Sequence, residues 1–141
     1  MATDVQIVID SADPHGLADW WAETLGWHVE PQDEAFIRRM VESGAATAED
    51  TTTHRGALVW RVGAALNSPD PGRPRVLFQA VPEAKTVKNR VHLDLRVGDG
   101  DREDVVARLV ARGATELYRG AQGPFRWATM ADPEGNEFCV T

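Results

Sequence analysis

Residues 89–97 read Asn-Arg-Val-His-Leu-Asp-Leu-Arg-Val. Aliphatic side chains at Val91, Leu93, Leu95 and Val97 alternate with Arg90, His92, Asp94 and Arg96, the period of a strand with one buried and one polar face. Asp101 then stands as a helix N-cap, with Asp104 close to the positive end of the helix dipole. Val105, Val106, Leu109 and Val110 supply an apolar stripe that Gly113 ends. Short strands follow at 115–118, 125–130 and 137–140, the last behind the turn Asp132-Pro133-Glu134-Gly135. The second half thus reads strand, helix, strand, strand, strand.

The first half repeats that order. A β-branched run at 5–10 is followed by Asp13-Pro14, an N-cap residue and a proline at the first helical position. Leu17, Trp20, Trp21, Thr24 and Leu25 keep helical spacing up to Gly26, a left-handed cap. Strands are expected at 27–30, 57–62 and 75–81, with the turn-rich stretch 67–74 between the last two. The interval from Gln6 to Gly26 equals that from His92 to Gly113 to within one residue. The interval from Gly26 to Gln79 exceeds that from Gly113 to Cys139 by nearly the length of residues 31–56, which read as an insertion. There, 33–43 predicts a helix with Phe36, Ile37, Met40 and Val41 on one face, and 45–53 a loop. The expected fold class is α+β: one domain over 1–141 built from two βαβββ modules, 1–84 and 85–141, with the inserted helix-loop. Two such modules side by side form a curved mixed sheet whose concave face is a cleft.

Composition narrows the function. With 141 residues, 43% hydrophobic and 26% charged, the chain can bury a core. Cys139 is the single cysteine, so neither an intrachain disulfide nor a multi-cysteine zinc cage can form. A net charge of −7 argues against nucleic-acid binding. No long apolar run and no basic segment ahead of one is present, so the expectation is a cytoplasmic protein with neither membrane span nor secretory signal. Phosphate loops, dinucleotide fingerprints, serine elbows and His-Glu-x-x-His are all missing.

Three segments carry a resemblance to a known family: Leu25-Gly26-Trp27, the strand 91–95, and Asp132-Pro133-Glu134-Gly135-Asn136-Glu137-Phe138. They are similar to the vicinal oxygen chelate superfamily of glyoxalases, bleomycin-resistance proteins and extradiol dioxygenases. Residues 88–94 (Lys-Asn-Arg-Val-His-Leu-Asp) most resemble its actinobacterial glyoxalase-like subgroup. The resemblance implies the two-module fold and a small-molecule cleft. In metal-using members it implies a divalent ion held by the first and last strand of each module, at positions falling here on Gln6, Gln79, His92 and Cys139. Two carboxamides, an imidazole and a thiol make a poor set for a hard cation, which depends on charged oxygen ligands. No metal cofactor is therefore expected.

The expected function is binding of a small apolar or aromatic molecule in the cleft by Gln6, Trp60, Phe78, Gln79, His92, Trp127 and Cys139, with His92 as the catalytic candidate. The binding would sequester the ligand or support acid-base chemistry at His92. Two alternatives stand beside it. One is a divalent-metal lyase, isomerase or dioxygenase using His92, Gln6 and a carboxylate such as Glu137; the other is an accessory module acting through the inserted helix. A homodimer is the expected assembly. His15 and His28 read as surface residues, His54 as part of a solvated loop, and Lys85, Lys88 and Arg90 as a loop between modules. Of Trp20 and Trp21, adjacent on a helix, one is expected on the sheet and the other at an edge or subunit contact.

Overall fold

A computed structural model describes residues 1–141, which divide into two compact units, Met1–Glu83 and Ala84–Thr141. The fold is α+β with mixed sheets. No helix is long and apolar enough to cross a membrane.

The first unit begins with β1 (Ile7–Ser11) and α1 (Pro14–Leu25). Asp13 caps α1 by accepting the Gly16 N–H at 3.2 Å, and Gly26 closes it at φ 67°. β2 (His28–Val29), β5 (Gly63–Asn67) and β6 (Val76–Ala80) complete a sheet in the order β1-β6-β5-β2, with β1 parallel to β6. α1 packs on β5 and β6. Leu17 and Ala18 are buried beneath it, as are both Trp20 (9% exposed) and Trp21 (3%). Neither tryptophan is left at an edge: their rings meet edge to face at 5.1 Å, so each buries part of the other. His15, expected at the surface, is also buried, and its Nε2 donates to the Trp60 carbonyl at 2.8 Å.

The insertion is more ordered than its composition suggests. α2 (Glu34–Glu42) forms as expected, with Asp33 accepting the Phe36 N–H at 3.0 Å and Ile37 buried. The stretch expected as a loop instead contains a short 3-10 turn (Ala48–Asp50) and β3 (Thr51–His54). β3 pairs antiparallel with β4 (Ala57–Trp60) in a separate two-stranded sheet. Residues 57–60 therefore belong to the inserted hairpin. The third strand of the four-stranded sheet is β5, whose Gly-Ala-Ala-Leu-Asn sequence carries no β-branched signal. His54 lies on β3, its Nε2 2.6 Å from Asp19 Oδ2 on α1.

In the second unit, β7 (Asp94–Leu95), α3 (Arg102–Ala111), β8 (Thr115–Gln122), β9 (Phe125–Ala131) and β10 (Glu137–Val140) form a sheet in the order β7-β10-β9-β8. First, fourth, third, second is also the strand order of the first unit's sheet. β7 is shorter than the expected strand at 89–97, and Val91 is 82% exposed rather than buried. Ahead of β7, the chain is tied to the start of β10 through the Asn89 side chain and N–H instead of through ladder pairing. Asp101 takes the N-cap position of α3 without a side-chain capping bond.

The Asp132 turn explains its own sequence. Buried Asp132 accepts the Glu134 and Asn136 N–H groups through Oδ1 at 2.9 and 3.0 Å, and Gly135 adopts φ 88°, a conformation that favours glycine.

Candidate functional site

Parallel pairing of β7 with β10 sets Asp94 opposite Cys139. Alternation brings His92 to the same face as Asp94, and Glu137 to the same face as Cys139. β9, antiparallel to β10, adds Thr129 opposite Cys139 and Trp127 two residues back. These residues surround a hollow of about 310 Å³ in the second unit, completed by Lys88, Tyr118, Phe138 and Thr141. Trp127 can lie there because its partner across the ladder is Gly120, where a Cβ would come within 2.3 Å of the indole.

Polar groups gather at one end. His92 Nε2 lies 3.3 Å from Asp94 Oδ1. The donor atoms of His92, Asp94 and Cys139 all fall within 4.8 Å of one another. Cys139 is 9% exposed and its Sγ is 3.5 Å from Thr129 Oγ1. Glu137 is already committed: its carboxylate accepts the Asn89 N–H at 3.0 Å and pairs with Lys85 Nζ at 3.2 Å. The Glu137 N–H in turn donates to Asn89 Oδ1 at 2.9 Å. Asn89 thereby pins the segment leading to His92 against β10. Lys85 and Lys88 lie in the irregular segment between β6 and β7, as expected, where Lys85 also joins this brace and exposed Lys88 lines the hollow.

These contacts hold the Glu137 carboxyl below its ordinary value, the Asn89 N–H contributing most and Lys85 less. A carboxylate depressed in the folded state stabilises above its unfolded value of 4.5, and that contribution is lost as pH falls through the lower folded value. Glu137→Gln is therefore expected to be less stable than the parent at neutral pH, with the gap closing below about pH 4.5. Urea unfolding across a pH series measures it, and a gap independent of pH would contradict the brace.

A second hollow, of about 370 Å³, lies on the sheet of the first unit. Trp60, Val62, Leu77, Gln79 and Arg75 are among its lining residues. Arg75 is engaged there, Nε donating to Glu30 at 2.8 Å and Nη1 to Gln6 Oε1 at 2.8 Å.

The expected site residues thus separate. Trp60 and Gln79 line the first unit's hollow, and His92, Trp127 and Cys139 the second's. Gln6 lines neither and is held by Arg75. Phe78 is a correction: alternation turns it away from Leu77 and Gln79, and it is completely buried in the core. Register corrects Gln6 as well. Gln79 pairs with Asp10 as Cys139 pairs with Asp94, so the counterpart of His92 is Val8. Gln6 lies four residues along β1's line from Asp10, roughly 13 Å at strand rise. The four positions implied by the resemblance therefore do not furnish the carboxylate-rich set of a hard divalent cation. Sequence reasoning missed Asp94, although it shares the polar parity of His92 and ends the 88–94 segment.

Comparison with known proteins agrees with this topology. A glyoxalase/bleomycin resistance protein/dioxygenase family enzyme from Burkholderia phytofirmans PsJN superimposes with TM-score 0.62 at 16% identity, covering 98% of this chain and 97% of that one. The fosfomycin resistance protein FosX from Mesorhizobium loti gives 0.64 at 10% identity, covering 99% and 90%. TioX from Micromonospora sp. ML1 gives 0.52 at 17% identity, covering 99% and 97%. No curated protein matches the sequence significantly. The family model described as "Glyoxalase-like domain" matches residues 6–141, and with it the chain belongs to that family, within the vicinal oxygen chelate superfamily.

Proposed function

We propose that the protein binds a small, flat, largely apolar organic molecule in the hollow of the second unit. The observation that carries this reading is the Trp127 wall, given its space by Gly120 and facing a cavity of about 310 Å³ that also presents Tyr118. An indole face offers large contact area at small entropic cost, and pockets of this size suit one- or two-ring ligands. His92 and Asp94 sit at the polar end, where an imidazole beside a carboxylate hydrogen-bonds a ligand hydroxyl or carbonyl, or moves a proton from it. Binding by such walls needs no ion, and sequestration is its simplest outcome. Fosfomycin resistance, for which the Mesorhizobium loti relative is named, agrees with a scaffold that handles small molecules.

The test is a fluorescence titration of chelator-treated protein with 1-naphthol and related one- and two-ring aromatics. Saturable binding is expected, weakened by Trp127→Ala by about tenfold or more, the scale of one lost aromatic contact and its buried area. No saturable binding across the panel, or equal binding by the variant, would overturn the reading.

A further inference from the structure

We infer that the inserted segment builds a second, separate ligand site in the hollow of the first unit, for an uncharged flat heterocycle with a lactam-type edge. This goes beyond the aromatic-ligand reading of the second unit and does not depend on it. Every residue around this hollow of about 370 Å³ belongs to the first unit.

Its wall comes from the insertion. Trp60 ends β4, and side chains from outside the hairpin ladder take both polar groups of its backbone. The Trp60 N–H donates to Gln32 Oε1 at 2.8 Å, and its carbonyl accepts from His15 Nε2 at 2.8 Å. Gln32 donates its amide N–H to the Gly63 carbonyl at 2.9 Å, which ties the hairpin to β5. The hairpin is also tied to α1, where Asp19 Oδ2 pairs with His54 Nε2 at 2.6 Å and Arg55 Nε at 2.9 Å. The half-buried indole is therefore in place before any ligand arrives, which lowers the entropic cost of stacking on it.

The floor is sheet. Register sets Gly63 beside Gln79 and Ala65 beside Leu77, so a small residue stands next to each larger one on the face of the hollow.

Charge and hydrogen bonding select the guest. Glu30 and Arg75 are the only charged residues of the lining, and they neutralise each other: Arg75 Nε and Nη2 meet the Glu30 carboxylate at 2.8 and 3.2 Å. A charged guest would lose hydration with no free counter-charge to replace it, so an uncharged one is favoured. The Gln32 carboxamide is spent on Trp60 and Gly63, whereas that of exposed Gln79 stays free. A carboxamide presents an acceptor and a donor side by side, and its complement is an adjacent N–H and C=O, the edge of a lactam or imide. Glutamine pairs with the donor-acceptor edge of adenine in the same two-point way. Gln79 acts here as a neutral hydrogen-bonding group and calls for no ion.

The experiment is a calorimetric titration of the full chain with 2-quinolinone and with N-methyl-2-quinolinone, which lacks the N–H. It is run on the parent and on Trp127→Ala, which removes the wall of the other hollow. Trp127→Ala should bind one equivalent of 2-quinolinone, and the N-methyl compound about five- to tenfold more weakly, the scale of one net hydrogen bond. Gln79→Leu, a change at an exposed side chain, should abolish that preference. Trp60→Ala should weaken 2-quinolinone binding by about tenfold or more. Circular dichroism verifies that each variant is folded, and the Gln79→Leu comparison needs neither tryptophan variant, so it decides alone if one of them fails to fold. No saturable binding of 2-quinolinone, equal affinity for the two compounds, or an undiminished preference in folded Gln79→Leu would each overturn the proposal. Binding of 1-naphthol in the second unit is read from Trp127, so failure of one proposal leaves the other standing.

Discussion

Phe78→Ala is expected to cost about 3–5 kcal/mol, the usual penalty for truncating a fully buried phenylalanine. Phe78 has no exposed surface and sits in the central strand pair β5–β6, on the face away from Leu77 and Gln79. Truncation removes the ring's transfer free energy and leaves a cavity in a close-packed interior. For a chain of this length the melting temperature should fall by on the order of 10–20 °C. Were Phe78 a cleft residue, the change would be nearly neutral for stability and would act on ligand binding. Thermal and urea unfolding decide between these outcomes, and a loss under about 1 kcal/mol would remove Phe78 from the core.

Gly120→Ala should act on the site more than on the fold. The added methyl would meet the Trp127 ring at 2.3 Å, an approach no real Cβ makes. Backbone moves least in a paired ladder, so the indole must rotate away and take the wall of the hollow with it. Aromatic-ligand affinity is expected to drop by about tenfold or more, as for loss of the ring itself. The fold should lose only about 1–3 kcal/mol. An unaltered Trp127 emission spectrum with unaltered affinity would show that the indole does not depend on its glycine partner.

These two positions show what was legible. Caps and stops at Asp13, Pro14, Gly26 and Asp33 were readable because their chemistry is local: a side chain and the backbone within a few residues. His92 and Cys139 were singled out through the family resemblance, and both line the second unit's hollow. Whatever depended on partners distant in sequence was not. β5 is made of small residues and becomes a strand by pairing between β2 and β6. Asp94 reaches Cys139 only through parallel register, and that register moves the counterpart of His92 from Gln6 to Val8. Phe78 looked like a cleft residue because parity on an isolated strand does not say which face receives the helix. Burial of Trp20 and Trp21 together depended on their edge-to-face contact, which helical spacing does not reveal.

The inserted hairpin closes its ladder on itself: β3 pairs with β4 and with no other strand. Adding residues in matched pairs at its Arg55-Gly56 tip would lengthen this ribbon while every pairing in the four-stranded sheet kept its phase. Variation in length can accumulate there without re-indexing the framework, a freedom denied to β5 and β6, where a slip of one position would exchange Phe78 with Gln79.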